Sequence, residues 1–159
     1  MYKNLKKKTE GFTIIEVLIV LAIAGLILLI VFLAVPALQR NSRNTQRRND
    51  VAGLLGGVAE FASNNNGNLP TTDAQVVSNA NTGYYKNAGT GIGNIDLVDG
   101  SSTAQSALPL TAAGDRVVIV TGAKCSATAG ATDPGSARQV AAQFVVEIST
   151  GFQAQCQEG

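Results

Sequence analysis

Residues 17–35, VLIVLAIAGLILLIVFLAV, are apolar apart from Gly25, and nothing else in the 159-residue chain resembles them. At 1.5 Å per residue such a run makes a helix of about 28 Å, close to the hydrocarbon thickness of a bilayer. The chain therefore crosses a membrane at most once. A carboxylate, Glu16, stands where the oil begins, four residues after Phe12. A charge near the middle of a spanning helix costs roughly 2.5–3.5 kcal/mol on insertion scales, so this one needs a partner or another environment.

The near-neutral net charge hides a strong segregation. Lys3, Lys6, Lys7 and Lys8 precede the apolar run, and Arg40, Arg43, Arg47 and Arg48 follow it. From Asn49 onward there are four basic residues and nine acids, a balance of −5. Both flanks of the span are basic, so charge alone leaves its orientation open. The short, contiguous Lys leader is taken as the cytoplasmic side, which places the polar remainder outside. In an exported part an even pair of cysteines, here Cys125 and Cys156, points to a disulfide. A zinc site would need carboxylates as well, because the chain has no His.

A basic leader followed by an apolar core has the form of a secretory signal, but no small-residue cleavage site follows the core. One reading is an uncleaved signal anchor. Another is a cut at Gly11–Phe12, where the lysines end and the oil begins. That cut would leave the α-amine of Phe12 one helical turn from Glu16, an i,i+4 relation.

GFTIIEVLIVLAIAGLILLIVFLAVP, preceded by its Lys-rich leader, resembles the amino-terminal signature of type IV prepilins and pseudopilins. The matching features are Gly11, Phe12, Thr13, Glu16 in the fifth mature position and the long apolar helix. The resemblance implies cleavage between Gly11 and Phe12 by a prepilin peptidase and N-methylation of Phe12. A glycine suits such a site because it lets a protease approach the backbone. It also implies that Glu16 meets the amine of a neighbouring Phe12 during assembly and so sets axial register. An assembly ATPase and an inner-membrane platform protein are the further partners implied. Pro36, about three residues later than the family's usual proline, removes a backbone donor, so Gly25 and Pro36 bound the segment where a packed helix would kink or melt.

The organisation expected is a leader (1–11), a membrane and filament-core helix (12–36), an amphipathic continuation (37–63) and a head (64–159). Val51, Leu54, Leu55, Val58, Phe61 and Ala62 form a stripe at helical spacing. Asn64-Asn65-Asn66-Gly67 and Pro70 end that helix. A short helix is expected near 72–81 within a loop-rich stretch (71–115). Arg116–Thr121, Ala141–Ile148 and Phe152–Cys156 read as strands of an antiparallel sheet, with Ser149-Thr150-Gly151 as a tight turn. The fold class is α+β, with the second half of a long helix laid on a small antiparallel sheet, the pilin fold.

Without His, catalytic triads and histidine metal sites are excluded within one subunit. Asp96, Asp99 and Asp115 fit no EF-hand and read as surface acids. GTGIG at 89–93 opens no helix after a strand, so it is a weak sign of nucleotide binding. Arg40, Arg43, Arg47 and Arg48 lack the interleaved aromatics that stack on bases. They read instead as contacts to anionic headgroups or to acidic neighbours in a polymer, and direct nucleic-acid binding is disfavoured. No metal, cofactor or enzyme activity is expected. The reading is a type IV pilus subunit, a homo-oligomeric filament held in the cytoplasmic membrane before assembly and extracellular after it. The alternatives are a pseudopilin of a secretion or DNA-uptake system, or an uncleaved signal-anchored binding protein.

Overall fold

The computed structural model describes residues 11–80, 82–89, 93–108 and 115–159. The Lys leader therefore lies outside the described residues, as do the centre of the GTGIG stretch and Asn81. The chain divides into two units, Met1–Leu38 and Gln39–Gly159.

In the first unit the main feature is the amino-terminal part of α1 (Ile14–Asn64), which runs on through Gly25 and Pro36. Its large side chains are exposed on every side, from Ile14 to Leu38. A helix that is oily all round belongs in lipid or inside a bundle.

In the second unit α1 becomes amphipathic. Val51, Leu54, Leu55 and Val58 are buried, as their spacing predicts, while Phe61 and Ala62 are half-buried. The helix ends on left-handed residues, Asn66 (φ 56°) and Gly67 (φ 83°), with the Gly67 N–H donating to Ala62 O at 2.8 Å. That bond satisfies a carbonyl the helix would otherwise leave unpaired. The short helix α2 (Asp73–Asn79) follows, its first turn closed by Gln75 Oε1, which accepts from the Thr71 and Thr72 N–H groups.

Strands β1 (Asn87–Ala88), β2 (Asn94–Asp99), β3 (Val117–Thr121), β6 (Val140–Ile148) and β7 (Gly151–Glu158) form one sheet in the order β1-β2-β3-β6-β7. A separate antiparallel hairpin pairs β4 (Ala123–Cys125) with β5 (Thr132–Pro134). The fold is α+β, a long apolar amino-terminal helix followed by a small, mostly antiparallel sheet. It departs from the purely antiparallel expectation in one respect. β2 runs parallel to β3, and β1 parallel to β2, so the sheet is mixed. The stretch expected to be loop-rich supplies those two strands. Ile95 and Leu97, two residues apart on β2, pack into the helix-side core, which draws the segment onto the sheet.

The continuous apolar runs of β3 and β6 have a simple cause: both faces of the sheet are covered. Val117, Ile119, Ala142, Phe144 and Val146 pack with α1. Val118, Val120 and Val145 face the other way, onto Leu108 and Ala123. Cys125 on β4 and Cys156 on β7 are bonded, with Cα atoms 5.7 Å apart, so the hairpin is tied to the edge strand. By the chain-entropy model a 31-residue loop closed this way adds roughly 3–4 kcal/mol of stability.

Candidate processing and assembly motif

Gly11, Phe12 and Thr13 precede the first helical residue, Ile14, and are exposed, with Phe12 at 90%. Thr13 is the N-cap of α1 and Glu16 occupies the third helical position. Glu16 Oε2 accepts from the Thr13 N–H at 2.8 Å and from Thr13 Oγ1 at 2.7 Å, while the Glu16 N–H donates to Thr13 Oγ1 at 3.3 Å. This reciprocal pattern is a capping box. It matters here because a helix that starts in an apolar medium has no water to satisfy its first N–H groups. Within one chain, then, Glu16 already has a partner, and it is Thr13. All the carboxylate's bonds among the described residues fall on Oε2. Oε1 can accept from a further donor without disturbing the cap.

The second unit accounts for most of the arginines that follow the span. Arg47 is buried; its Nε and Nη2 reach Asp115 Oδ1 and Oδ2 at 3.1 and 2.7 Å, and its Nη1 reaches Glu147 Oε1 at 2.9 Å. Arg43 forks onto the same Glu147 through Nε and Nη2. Asn44 closes the arrangement, donating Nδ2 to Glu147 O at 2.7 Å and accepting the Glu147 N–H on Oδ1 at 2.8 Å. The Tyr84 hydroxyl donates to Asp115 Oδ2 at 2.6 Å, and the Arg47 guanidinium lies 5.3 Å from the Tyr84 ring centre. One turn on, the buried Asp50 accepts backbone N–H groups from Gly83, Tyr84 and Tyr85. The Arg43 hydrogen bonds hold the Glu147 carboxyl down at about 2. Burial and the Asp115 carboxylate push the Tyr84 hydroxyl up.

These contacts correct two sequence readings. Arg47 is buried against Asp115 and Glu147 rather than turned to headgroups or neighbours, Arg43 joins it in clamping α1 to its own sheet, and Arg48 reaches Gln155 Oε1 at 3.3 Å. Asp115 is not a surface acid but a buried partner of Arg47. Asp96 is half-buried with Arg116 at 3.7 Å, and Asp99 accepts the Ser101 N–H at 2.9 Å. Among the described residues no group of three or more metal-ligating side chains converges. The clamp could have been suspected from spacing. Residues 43, 47 and 50 continue the helical stripe of Val51, Leu54 and Val58, so they lie on the sheet side of α1, with Arg47 and Asp50 buried and Arg43 half-exposed at its edge.

The structure thus brings Thr13 to Glu16 and Cys125 to Cys156, and α1 runs on through Gly25 and Pro36.

The apolar part of α1, capped at its start by Thr13 and Glu16, is long and apolar enough to cross a membrane, and with an amino-terminal signal it fits membrane anchoring. Residues 6–32 match the family described as the prokaryotic N-terminal methylation motif. That motif is a class III signal peptide, and it supports placing the chain in the type IV pilin and prepilin family. The match covers the amino-terminal segment alone, and it supports a pilin-like or pseudopilin-like precursor. No curated protein and no solved structure matches the chain.

Proposed function

We propose that this chain is a structural, non-enzymatic subunit of a type IV pilus. The observation that carries the reading is the all-round exposure of an apolar helix whose first turn bears the processing motif. Phe12, Phe32 and Leu33 are 90%, 75% and 74% exposed. Burying such surface yields about 25 cal/mol per Å², so it requires an apolar surrounding at every stage. Lipid provides it before assembly, and the same helix from neighbouring copies provides it afterwards.

In this reading prepilin peptidase cuts between Gly11 and Phe12 and methylates the Phe12 amine. Glu16, held by Thr13 through Oε2, offers Oε1 to the Phe12 amine of a neighbouring copy. An unpaired charge in an apolar medium is strongly penalised, so a misplaced subunit would be rejected and the pair would set register. The segment from Gly25 to Pro36 is where α1 would bend or melt on packing. An assembly ATPase and a membrane platform protein would supply the work of extraction and deliver the head to the extracellular filament. The Cys125–Cys156 bond suits a head exposed to an oxidising exterior.

The test is the amino terminus of the exported protein. Intact-mass and peptide analysis should find N-methylated Phe12 as the first residue. A product that retains Lys6, Lys7 and Lys8 would overturn the reading in favour of a signal-anchored protein. Surface filaments that vanish on deletion of the chain separate a pilus subunit from a pseudopilin, whose loss would abolish secretion or DNA uptake instead.

A further inference from the structure

Where α1 ends, the second unit leaves an open cavity of about 320 Å³. The buried Leu55, Val58 and Val140 line it together with the half-buried Ala62 and Leu69. Small-molecule sites occupy roughly 300–1,000 Å³ and are mostly apolar, with a few polar groups that fix the ligand's orientation. This cavity lies at the small end of that range. Ser63, at its rim, has its hydroxyl satisfied by donation to Ala59 O at 3.0 Å. Gly159 completes the lining, its N–H donating to Val140 O at 3.0 Å.

Among the described residues that line the cavity, Arg138 bears the one charged side chain, and it is exposed. It joins no ion pair among the described residues. Its guanidinium lies against the left-handed Gly67 that closes α1, where an added Cβ would stand 3.3 Å from Nη2. The acidic side chains nearby are otherwise placed. Glu158 Oε1 accepts the Cys125 N–H at 2.8 Å, and Glu60 is not part of the lining. A guanidinium presents paired N–H donors that match a carboxylate, and such a pair gains strength where apolar walls keep water away.

We propose that this cavity is a binding site for a small organic acid, its apolar body against Leu55, Val58 and Val140 and its carboxylate on the Arg138 guanidinium. The apolar walls supply affinity, and Arg138 supplies the preference for an anion. The site is built within the second unit alone, so it stands whether or not the chain polymerises.

The experiment is methyl NMR of the full chain in nanodiscs of zwitterionic lipid, with empty nanodiscs as the blank. The probes are hydrocinnamate, its neutral amide and the cation phenylpropylamine. Hydrocinnamate should shift the Val58, Leu69 and Val140 methyl signals saturably and leave Ile148, at the other end of β6, unmoved. The amide should bind about tenfold more weakly. Arg138→Gln, a change at an exposed side chain, should bring acid and amide to equal affinity. Ala62→Leu, which narrows the cavity, should weaken both. Equal binding of acid and amide by the unsubstituted chain would overturn the site, as would tighter binding of phenylpropylamine. So would an acid preference that survives Arg138→Gln, or binding indifferent to Ala62→Leu. Shifts confined to the run from Val17 to Val35 mean partition into lipid, and they overturn it too, as does the absence of any shift.

Discussion

Arg47 and Asp115, 68 residues apart in sequence, meet through two parallel hydrogen bonds of 3.1 and 2.7 Å, and both side chains are buried. Arg47 also bonds Glu147, and Asp115 also accepts from Tyr84, so neither charge is left to water alone. Removing one member of a buried pair strands the other and costs about 3–5 kcal/mol. Asp115→Ala is therefore expected to destabilise the head by that amount. Urea unfolding of the detergent-solubilised chain, followed by tyrosine fluorescence, would measure it. A double-mutant cycle with Arg47→Met should return a coupling well above experimental error.

The Glu147 carboxyl has its ordinary value near 4.5 in the unfolded chain and about 2 in the folded one, chiefly through the Arg43 hydrogen bonds. A carboxyl depressed by folding adds stability that is complete above its unfolded value and lost as pH falls through the folded one. The head should therefore weaken progressively from about pH 4.5 down to about pH 2. In Glu147→Gln that part of the acid slope should disappear. Thermal midpoints across this range would record the difference.

Adjacent glycines on α1 should respond with opposite signs. A Cβ at Gly56 would meet open space, whereas one at Gly57 would fall 2.7 Å from Asn79 O at the end of α2. Gly56→Ala is expected to stabilise by roughly 0.5–1 kcal/mol through helix propensity. Gly57→Ala should destabilise, because backbone stands in the way. Paired melting curves would decide it.

At the amino terminus the cap and the proposed ion pair can be separated. Glu16→Gln keeps an acceptor for Thr13 but carries no charge, and Glu16→Ala removes both. If charge sets register, both variants should be processed normally at Gly11–Phe12 and neither should assemble. Mass analysis checks the cut and electron microscopy the filaments. Full assembly of Glu16→Gln would reassign Glu16 to helix capping alone.

The features legible in the sequence are those whose cause is local. The span from Val17 to Val35 is written in composition, and the Thr13–Glu16 cap lies within one helical turn. The stripe of Val51, Leu54, Leu55 and Val58 follows from the helical period, and the Asn66-Gly67 stop from the backbone freedom of those residues. Even β3 and β6 announce themselves as apolar runs. The parallel placement of β2 did not, because Asn94–Asp99 mixes two acids with its core residues and pairs across a long connection.

The clamp was hidden for a stronger reason. Arg43, Arg47 and Arg48 look alike in a basic run, yet their partners lie 104, 68 and 107 residues away. Attraction between polar groups depends on distance in space, and only the folding of α1 against the sheet, at the start of β3 and along β6 and β7, sets that distance. By itself the sequence determined that one helix must live in an apolar medium, how it begins and which family signal it bears, since hydrophobicity and capping act over a few residues. Tertiary structure alone decided which charges face inward, and so which remain at the surface for another molecule to meet.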